Sequence, residues 1–355
     1  MDVARPTAGP SLSSVMGLSL KILLCLALPL LLAGCGRKEA GPATSSSNSA
    51  GKPAPRKVVL QSDWFPQAEH GGFYQALVKG YYREAGLEVE IWPGGPGAGI
   101  KLKVARGDAD FGMNRSDDLI LAVSQGMPLT IVAATLQHDP LGLMMHAASP
   151  VKTFKDLNGR VVVGNVGLAY LSFIERKFGI TFEKRQNTYG LGEFLANPEV
   201  IQQCLVTNEP FFARHKGVAV RTLALADAGY DSYHTVFCRR ELVRDSADVV
   251  RAFVWATIRG WTDYMEGDPS PANKEILKRN SQMTQELIDF SRSEMILRSL
   301  VHGEREKGEK IGQVSLARLS LEIDMLRNLK VLEKPIAVSA VATKDFLPSS
   351  ALPPK

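Results

Sequence analysis

The stretch Ser62-Asp63-Trp64-Phe65-Pro66-Gln67-Ala68-Glu69-His70-Gly71-Gly72-Phe73-Tyr74 most narrows what this chain can become. It follows residues 58–61, an apolar run that reads as a strand, and it leads into a helical run over 73–84. The aromatic–proline turn ends the strand. The helix start behind Gly71-Gly72 then offers free N–H groups and partial positive charge. In an open α/β sheet a small molecule is held at the carboxyl ends of strands, which is where Asp63, Trp64, Phe65, Glu69, His70 and Tyr74 crowd together. The same residues also suit a plainer role, with Trp64 and Phe65 in the core and His70 capping the helix.

Down the chain the alternation continues. Residues 87–91 alternate as a strand. Trp92-Pro93-Gly94-Gly95-Pro96-Gly97-Ala98-Gly99 follows, a loop in which Gly94 and Gly95 let backbone approach a ligand or simply turn the chain. No Gly-Lys-Ser/Thr follows it, so it is not a phosphate loop. A helix is expected over 100–106, a short strand to 113, and a helix over 119–125. Ser116 or Asp117 would cap that helix, and with Asn114 would form a second polar helix entrance. A buried strand over 129–134 leads to Gln137. The rhythm restarts near Ser149, with a strand over 161–164 and a helix entered at Gly167-Leu168-Ala169-Tyr170. Tyr189 and the Thr207-Asn208-Glu209-Pro210 turn follow. Apolar periodicity predicts helices over 247–266, 272–279, 284–300 and 313–329. Strands alternating with helices, then a helical C-terminal segment, define an α/β chain with mainly parallel sheets. A formal net charge of +5 over 355 residues is too small for a nucleic-acid footprint.

Residues 1–34 read as a targeting segment, a lipoprotein signal peptide. Lys21 precedes an apolar run over 22–32, too short to span a bilayer comfortably. Leu32-Ala33-Gly34-Cys35 matches a bacterial lipoprotein box, which makes Cys35 the lipidation site and the mature N-terminus. Translation from Met16 would give a signal of conventional length. Gly36 after the lipid cysteine leaves either membrane open. Residues 35–56 are rich in Gly, Ala, Pro and Ser and lack apolar periodicity, a flexible tether. Cys204 and Cys238 remain in the body. They could pair in an oxidising envelope, and no metal-ligand spacing involves them.

The opening motif, with Gly80-Tyr81-Tyr82, Gly86-Leu87, Gly107-Asp108-Ala109-Asp110-Phe111-Gly112, Gln125-Gly126-Met127-Pro128, Lys155-Asp156-Leu157-Asn158-Gly159 and Thr207-Asn208-Glu209-Pro210, resembles the SsuA/THI5-like (NMT1) substrate-binding proteins of ABC transporters. The likeness runs from about residue 57 to about residue 300, and its opening is most similar to the branch that binds thiamin-precursor pyrimidines. The resemblance implies a two-lobed periplasmic-binding-protein fold of type II that closes by a hinge. It puts lobe one at 57–147 plus 240–340, lobe two at 148–239, crossings near 146–150 and 237–240, and a tail over 341–355.

The resemblance further implies a monomeric, non-enzymatic lipoprotein of the cell envelope, facing the periplasm or exterior. It would need no cofactor or metal and would deliver a small heteroaromatic solute to an inner-membrane ABC permease. An aminopyrimidine wants an aromatic face, for which Trp64, Tyr170 and Tyr189 are candidates, and a carboxylate for its amino group, the role Glu209 matches. Asp63, Phe65, Glu69, His70, Tyr74, Gly94, Gly95, Asn114, Ser116, Asp117 and Gln137 complete the expected pocket. An alkanesulfonate binder would instead use helix N-termini with Ser116 and Asn114. The family also holds pyrimidine synthases, enzymes with a reacting histidine where this chain has His70 and a cysteine-rich iron segment where it has only Cys204. A solute sensor docking to a membrane signalling protein is a third alternative.

Overall fold

The computed structural model describes residues 54–348. The expected signal, lipid cysteine Cys35, most of the tether and the end of the tail lie outside them. Among the described residues ten strands form two five-stranded sheets. The first contains β1 (Arg56–Gln61), β2 (Leu87–Trp92), β3 (Phe111–Arg115), β4 (Leu129–Leu136) and β10 (His234–Arg239), in the order β2-β1-β3-β10-β4. The second contains β5 (Leu141–His146), β6 (Val161–Gly164), β7 (Glu183–Gln186), β8 (Ile201–Leu205) and β9 (Val220–Ala224), in the order β7-β6-β8-β5-β9. Both sheets are mixed rather than mainly parallel by pairing. In each, one strand runs against its neighbours: β10 is antiparallel to β3 and β4, and β5 to β8 and β9.

Those reversed strands are the ones that arrive from the other lobe, and they correct the expected crossings. Since β5 already belongs to the second sheet and β10 to the first, the chain crosses at residues 137–140 and returns at 225–233. Helix Val338–Val341 and residue Ala342 also pack on the first lobe, so it extends past residue 340.

Strand chemistry follows position. In β2, an edge strand, Leu87, Val89 and Ile91 face the core while Glu88 and Glu90 face solvent. By contrast β4 is buried along its whole length although it ends the sheet order. Its free edge is covered by bridges from Ile131 to Ala342 and from Ala134 to Gly312.

The expected helix over 73–84 is broken. It runs Gly71–Val78, and a four-residue turn of helix, Tyr81–Glu84, follows after Gly80 at φ 78°. The Gly71-Gly72 pair serves helix packing. A Cβ on Gly72 would sit 2.1 Å from the Trp261 ring, and one on Gly260 2.3 Å from the Gly72 carbonyl. Helix Gly71–Val78 thus lies directly on the long helix Ala247–Glu266, which fills the first lobe's core with Phe253, Trp261 and Tyr264. Helix Ser116–Ser124 starts earlier than expected. Its N-cap is Arg115, so Ser116 and Asp117 occupy the first turn and do not cap it.

Candidate functional site

The carboxyl ends of β1 and β8 face each other across the lobes. Beyond β1, residues 62–67 make the aromatic turn. The Ser62 hydroxyl donates to the Trp64 carbonyl at 2.5 Å, and the Asn280 amide holds the Pro66 carbonyl at 2.8 Å. The glycine loop packs on this turn. Gly94 N–H donates to the Trp64 carbonyl at 2.9 Å, and a Cβ on Gly94 would lie 2.3 Å from the Ser62 carbonyl oxygen. Gly95 at φ 140° lies under the Phe65 ring, which would be 3.0 Å from an added Cβ. The glycines therefore shape the wall that carries Trp64.

From the second lobe Tyr189 reaches Trp64, with ring centroids 5.2 Å apart and tilted by 48°. Tyr189 holds φ 63°, a left-handed conformation uncommon for a side-chain-bearing residue. Its N–H is fixed by the Asn187 side-chain oxygen at 2.8 Å. Trp64, Phe65, Tyr189, Phe212, Met283 and Asn280 are among the walls of a cleft of about 390 Å³, within the size range of small-molecule sites. A larger depression, about 980 Å³, lies beside Ile258, His302 and Lys344 on the first lobe, away from the facing strand ends.

Beside the aromatic pair lies a set of titratable groups. His70 Nε2–H donates to Asp63 at 2.8 Å. Burial raises the Asp63 carboxyl, but the hydrogen bond and charge of His70 outweigh it and hold the group below its ordinary range. Glu69 is 4% exposed and accepts the Thr207 hydroxyl from the other lobe. Burial raises its pKa despite that bond. The Thr207 carbonyl in turn accepts Ser291 Oγ–H at 2.7 Å. Glu209 begins helix Glu209–His215 and accepts the Leu205 N–H at 2.7 Å. Burial, with the charge of Glu69 added, pushes its pKa up to about 7.

Behind this surface Arg115 lies 3.2 Å from Asp117 and 3.0 Å from Asp139, and His234 lies 3.4 Å from Asp139. Burial raises the Asp139 carboxyl, but the charges of Arg115 and His234 bring it down overall.

The structure thus groups Asp63, Trp64, Phe65, Glu69, His70, Gly94, Gly95 and Tyr189 at the aromatic turn, with Glu209 two residues beyond Thr207, which binds Glu69. It places the remaining expected residues elsewhere or commits them. Tyr74 is fully buried in the first lobe's core, its ring 5.5 Å from Arg279. Tyr170 is fully buried and donates to Gln203 at 2.7 Å, so its ring face is not open. Gln137 lies in the first crossing and donates to the Gln313 carbonyl at 3.0 Å. The Asn114 amide holds Asp118 at 2.8 Å, the Ser116 hydroxyl donates to Glu322 at 2.7 Å, and Asp117 is engaged by Arg115 and Tyr230.

Sequence reasoning missed Thr207, Arg115, Asp139, Asn280, Met283 and His234. Only Thr207 had a local signal, its place in the Thr-Asn-Glu-Pro turn. The others converge from distant segments. Cys204 and Cys238 are both buried and free, on strands of different sheets.

Two lobes of this topology have the periplasmic-binding-protein fold. The structure superimposes with a TM-score of 0.62 on a periplasmic sulfonate-binding protein SsuA of Methylobacillus flagellatus. That match has 15% identity and covers 82% of this chain and 93% of that one.

A family model described as NMT1/THI5 like matches residues 67–272, more than half of the chain, and the protein belongs to that family. Its relatives include a riboflavin-binding protein of Chloroflexus aurantiacus, 21% identical, covering 94% of this chain and 98% of that protein. A formylaminopyrimidine-binding protein of Halalkalibacterium halodurans is 25% identical over 83% and 89%. A 4-amino-5-hydroxymethyl-2-methylpyrimidine phosphate synthase of Saccharomyces cerevisiae is 24% identical over 65% and 73%.

Proposed function

We propose that this protein is the solute-binding lipoprotein of an ABC importer and that it captures an aminopyrimidine of the thiamin-precursor type. The reading puts it in the cell envelope, anchored through Cys35, delivering its solute to an inner-membrane permease. No bond is made or broken. The work is differential affinity of the open and closed lobes for the solute.

The observation that carries the reading is the pairing of Trp64 with Tyr189 across the lobes, where Thr207 also reaches Glu69; Glu69 and Glu209, two residues beyond Thr207, have no cationic side chain bound to them among the described residues. A flat ring inserted at the aromatic pair gains stacking worth about 0.5–1.5 kcal/mol beyond its buried area. Its exocyclic amine would find an acceptor in Glu209. The names of relatives that bind formylaminopyrimidine and riboflavin, both flat heteroaromatics, support the same class.

A sulfonate fits less well, because Asn114 and Ser116 already hold Asp118 and Glu322. For the synthase reading, no group of three or more His, Cys, Asp or Glu side chains among the described residues is placed to hold a metal ion. Cys204 is buried with its thiol pushed up by burial, away from the thiolate that ligates iron.

A thermal-shift panel on the full chain tests this, with formylaminopyrimidine, riboflavin, taurine, aliphatic sulfonates, and iron with pyridoxal phosphate. A ligand at 100-fold over its Kd adds about 2.7 kcal/mol of stability. A shift with the pyrimidine supports the proposal. A shift with sulfonates alone, or retention of iron and pyridoxal phosphate, overturns it.

A further inference from the structure

We propose that the carboxamides of Gln67 and Asn208, one from each lobe, read the polar substituent of the solute and make the cleft select an uncharged, amide-bearing ring over its cationic or anionic analogues. This rests on the solute-binding reading above and names the specificity-determining residues of the same cleft.

Gln67 and Asn208 both line the cleft of about 390 Å³, together with Trp64 and Tyr189. The bond from the Thr207 hydroxyl to Glu69 ties their two segments together across the lobes. Their places in the fold match. Gln67 is the N-cap of the short helix Ala68–His70 and Asn208 that of helix Glu209–His215, yet neither side chain makes a capping hydrogen bond. An asparagine at that position usually commits its oxygen to the helix. Gln67 is 8% exposed, and a polar group buried so far without a protein partner calls for one from elsewhere. The other two carboxamides of the cleft differ. Asn280 holds the Pro66 carbonyl and accepts the Gln282 N–H, while the Gln282 side chain is exposed.

No Asp, Glu, Lys, Arg or His side chain among the described residues lines this cleft. The arginines of the flanking helices are held elsewhere: Arg214 lies over the Phe290 ring, Arg292 donates to the carbonyls of Tyr264 and Met265, and Arg279 and Arg298 bind Glu275 and Glu294. Glu69 and Glu209 already accept from the Thr207 hydroxyl and the Leu205 N–H. A charged substituent seated between Trp64 and Tyr189 loses water without meeting a counter-charge, which costs more than burying a neutral amide. A carboxamide offers a donor and an acceptor together, the complement of an amide's own N–H and C=O. Because the two carboxamides stand on different lobes, one substituent reaches both only in the closed cleft, so closure makes the choice.

Calorimetric titration into the full chain near pH 7 tests this, with formylaminopyrimidine, which is neutral, and its deformylated aminomethyl counterpart, a cation. Wild type should bind the formyl compound at least about tenfold tighter. Gln67→Met and Asn208→Leu keep the size of the side chain and remove its hydrogen bonds; each should weaken the formyl compound about tenfold and leave the amine within a few-fold. Asn208→Asp, which still suits a helix N-cap, should reverse the order. A wild type that binds both equally, or prefers the amine, overturns the proposal while leaving aminopyrimidine capture intact, and so do variants that weaken both compounds alike. If neither pyrimidine binds, the aminopyrimidine reading falls, and riboflavin against its phosphate monoester decides the cleft. A preference for riboflavin that Gln67→Met abolishes sustains the carboxamide pair; any other result, silence included, overturns it.

Discussion

Glu209 shows how one residue's environment sets its chemistry. Its carboxylate accepts the Leu205 N–H, which favours the charge, but burial and the neighbouring Glu69 disfavour it more and lift the pKa to about 7 from 4.5. The folded state therefore binds this proton more tightly than the unfolded one. Stability from this group is greatest below about pH 4.5 and is lost as pH rises to about 7. Glu209→Gln keeps an acceptor for Leu205 and removes the charge. Urea unfolding should find the variant more stable than wild type by about 1–3 kcal/mol at pH 8 and no more stable at pH 4.5. A wild-type advantage at pH 8 would contradict the burial account. At this scale the sequence was readable where residues share a turn, as Asp63, Trp64 and Glu69 do. It was unreadable for Tyr74 and Tyr170, whose rings are hidden by packing that no local pattern records.

Among the elements, helices with a strong apolar stripe were the most legible. Helix Ala247–Glu266 begins and ends where its periodicity does, and helix Ile100–Arg106 ends at Gly107 in the left-handed conformation. Strand β7 was invisible because Glu183-Lys184-Arg185-Gln186 is exposed throughout and offers no apolar alternation. The Gly71-Gly72 pair misled in a different way. It marks a helix entrance, but the lack of side chains is needed on the far side, where Trp261 and Tyr264 press against the helix backbone. Gly72→Ala must displace the fully buried Trp261 ring, and overpacking of this kind costs about 1–3 kcal/mol. A denaturant midpoint lowered to match is the expected outcome; an unchanged midpoint would mean that the two helices separate freely.

For the whole molecule, the two-lobed plan was legible but its crossings were not. Turn residues near Ser149 mark a surface loop inside the second lobe. The true crossing at 137–140 is tied into the protein by partly buried polar contacts. There His138 Nδ1 lies 2.7 Å from Asp231 of the return crossing, and Nε2 lies 3.1 Å from Glu309 and 3.9 Å from Glu304. Arg318 bridges Asp231 and Glu309 at 3.0 and 3.4 Å. The hydrogen bond that His138 donates to Asp231, against the opposing effect of burial, raises the His138 pKa. Its contribution is full below about pH 6.5 and is lost as pH climbs through the raised value. The melting temperature of wild type should therefore exceed that of His138→Gln most at pH 6, with the gap narrowing by pH 8.5. A gap independent of pH would assign His138 a packing role only.

The most direct test of solute capture is a calorimetric titration of formylaminopyrimidine into the full chain and into its Trp64→Ala variant. Capture at the Trp64–Tyr189 pair predicts saturable one-to-one binding, weakened at least tenfold, about 1.4 kcal/mol, in the variant. Binding unaffected by loss of Trp64, or no binding at millimolar pyrimidine while a sulfonate saturates the protein, would contradict it.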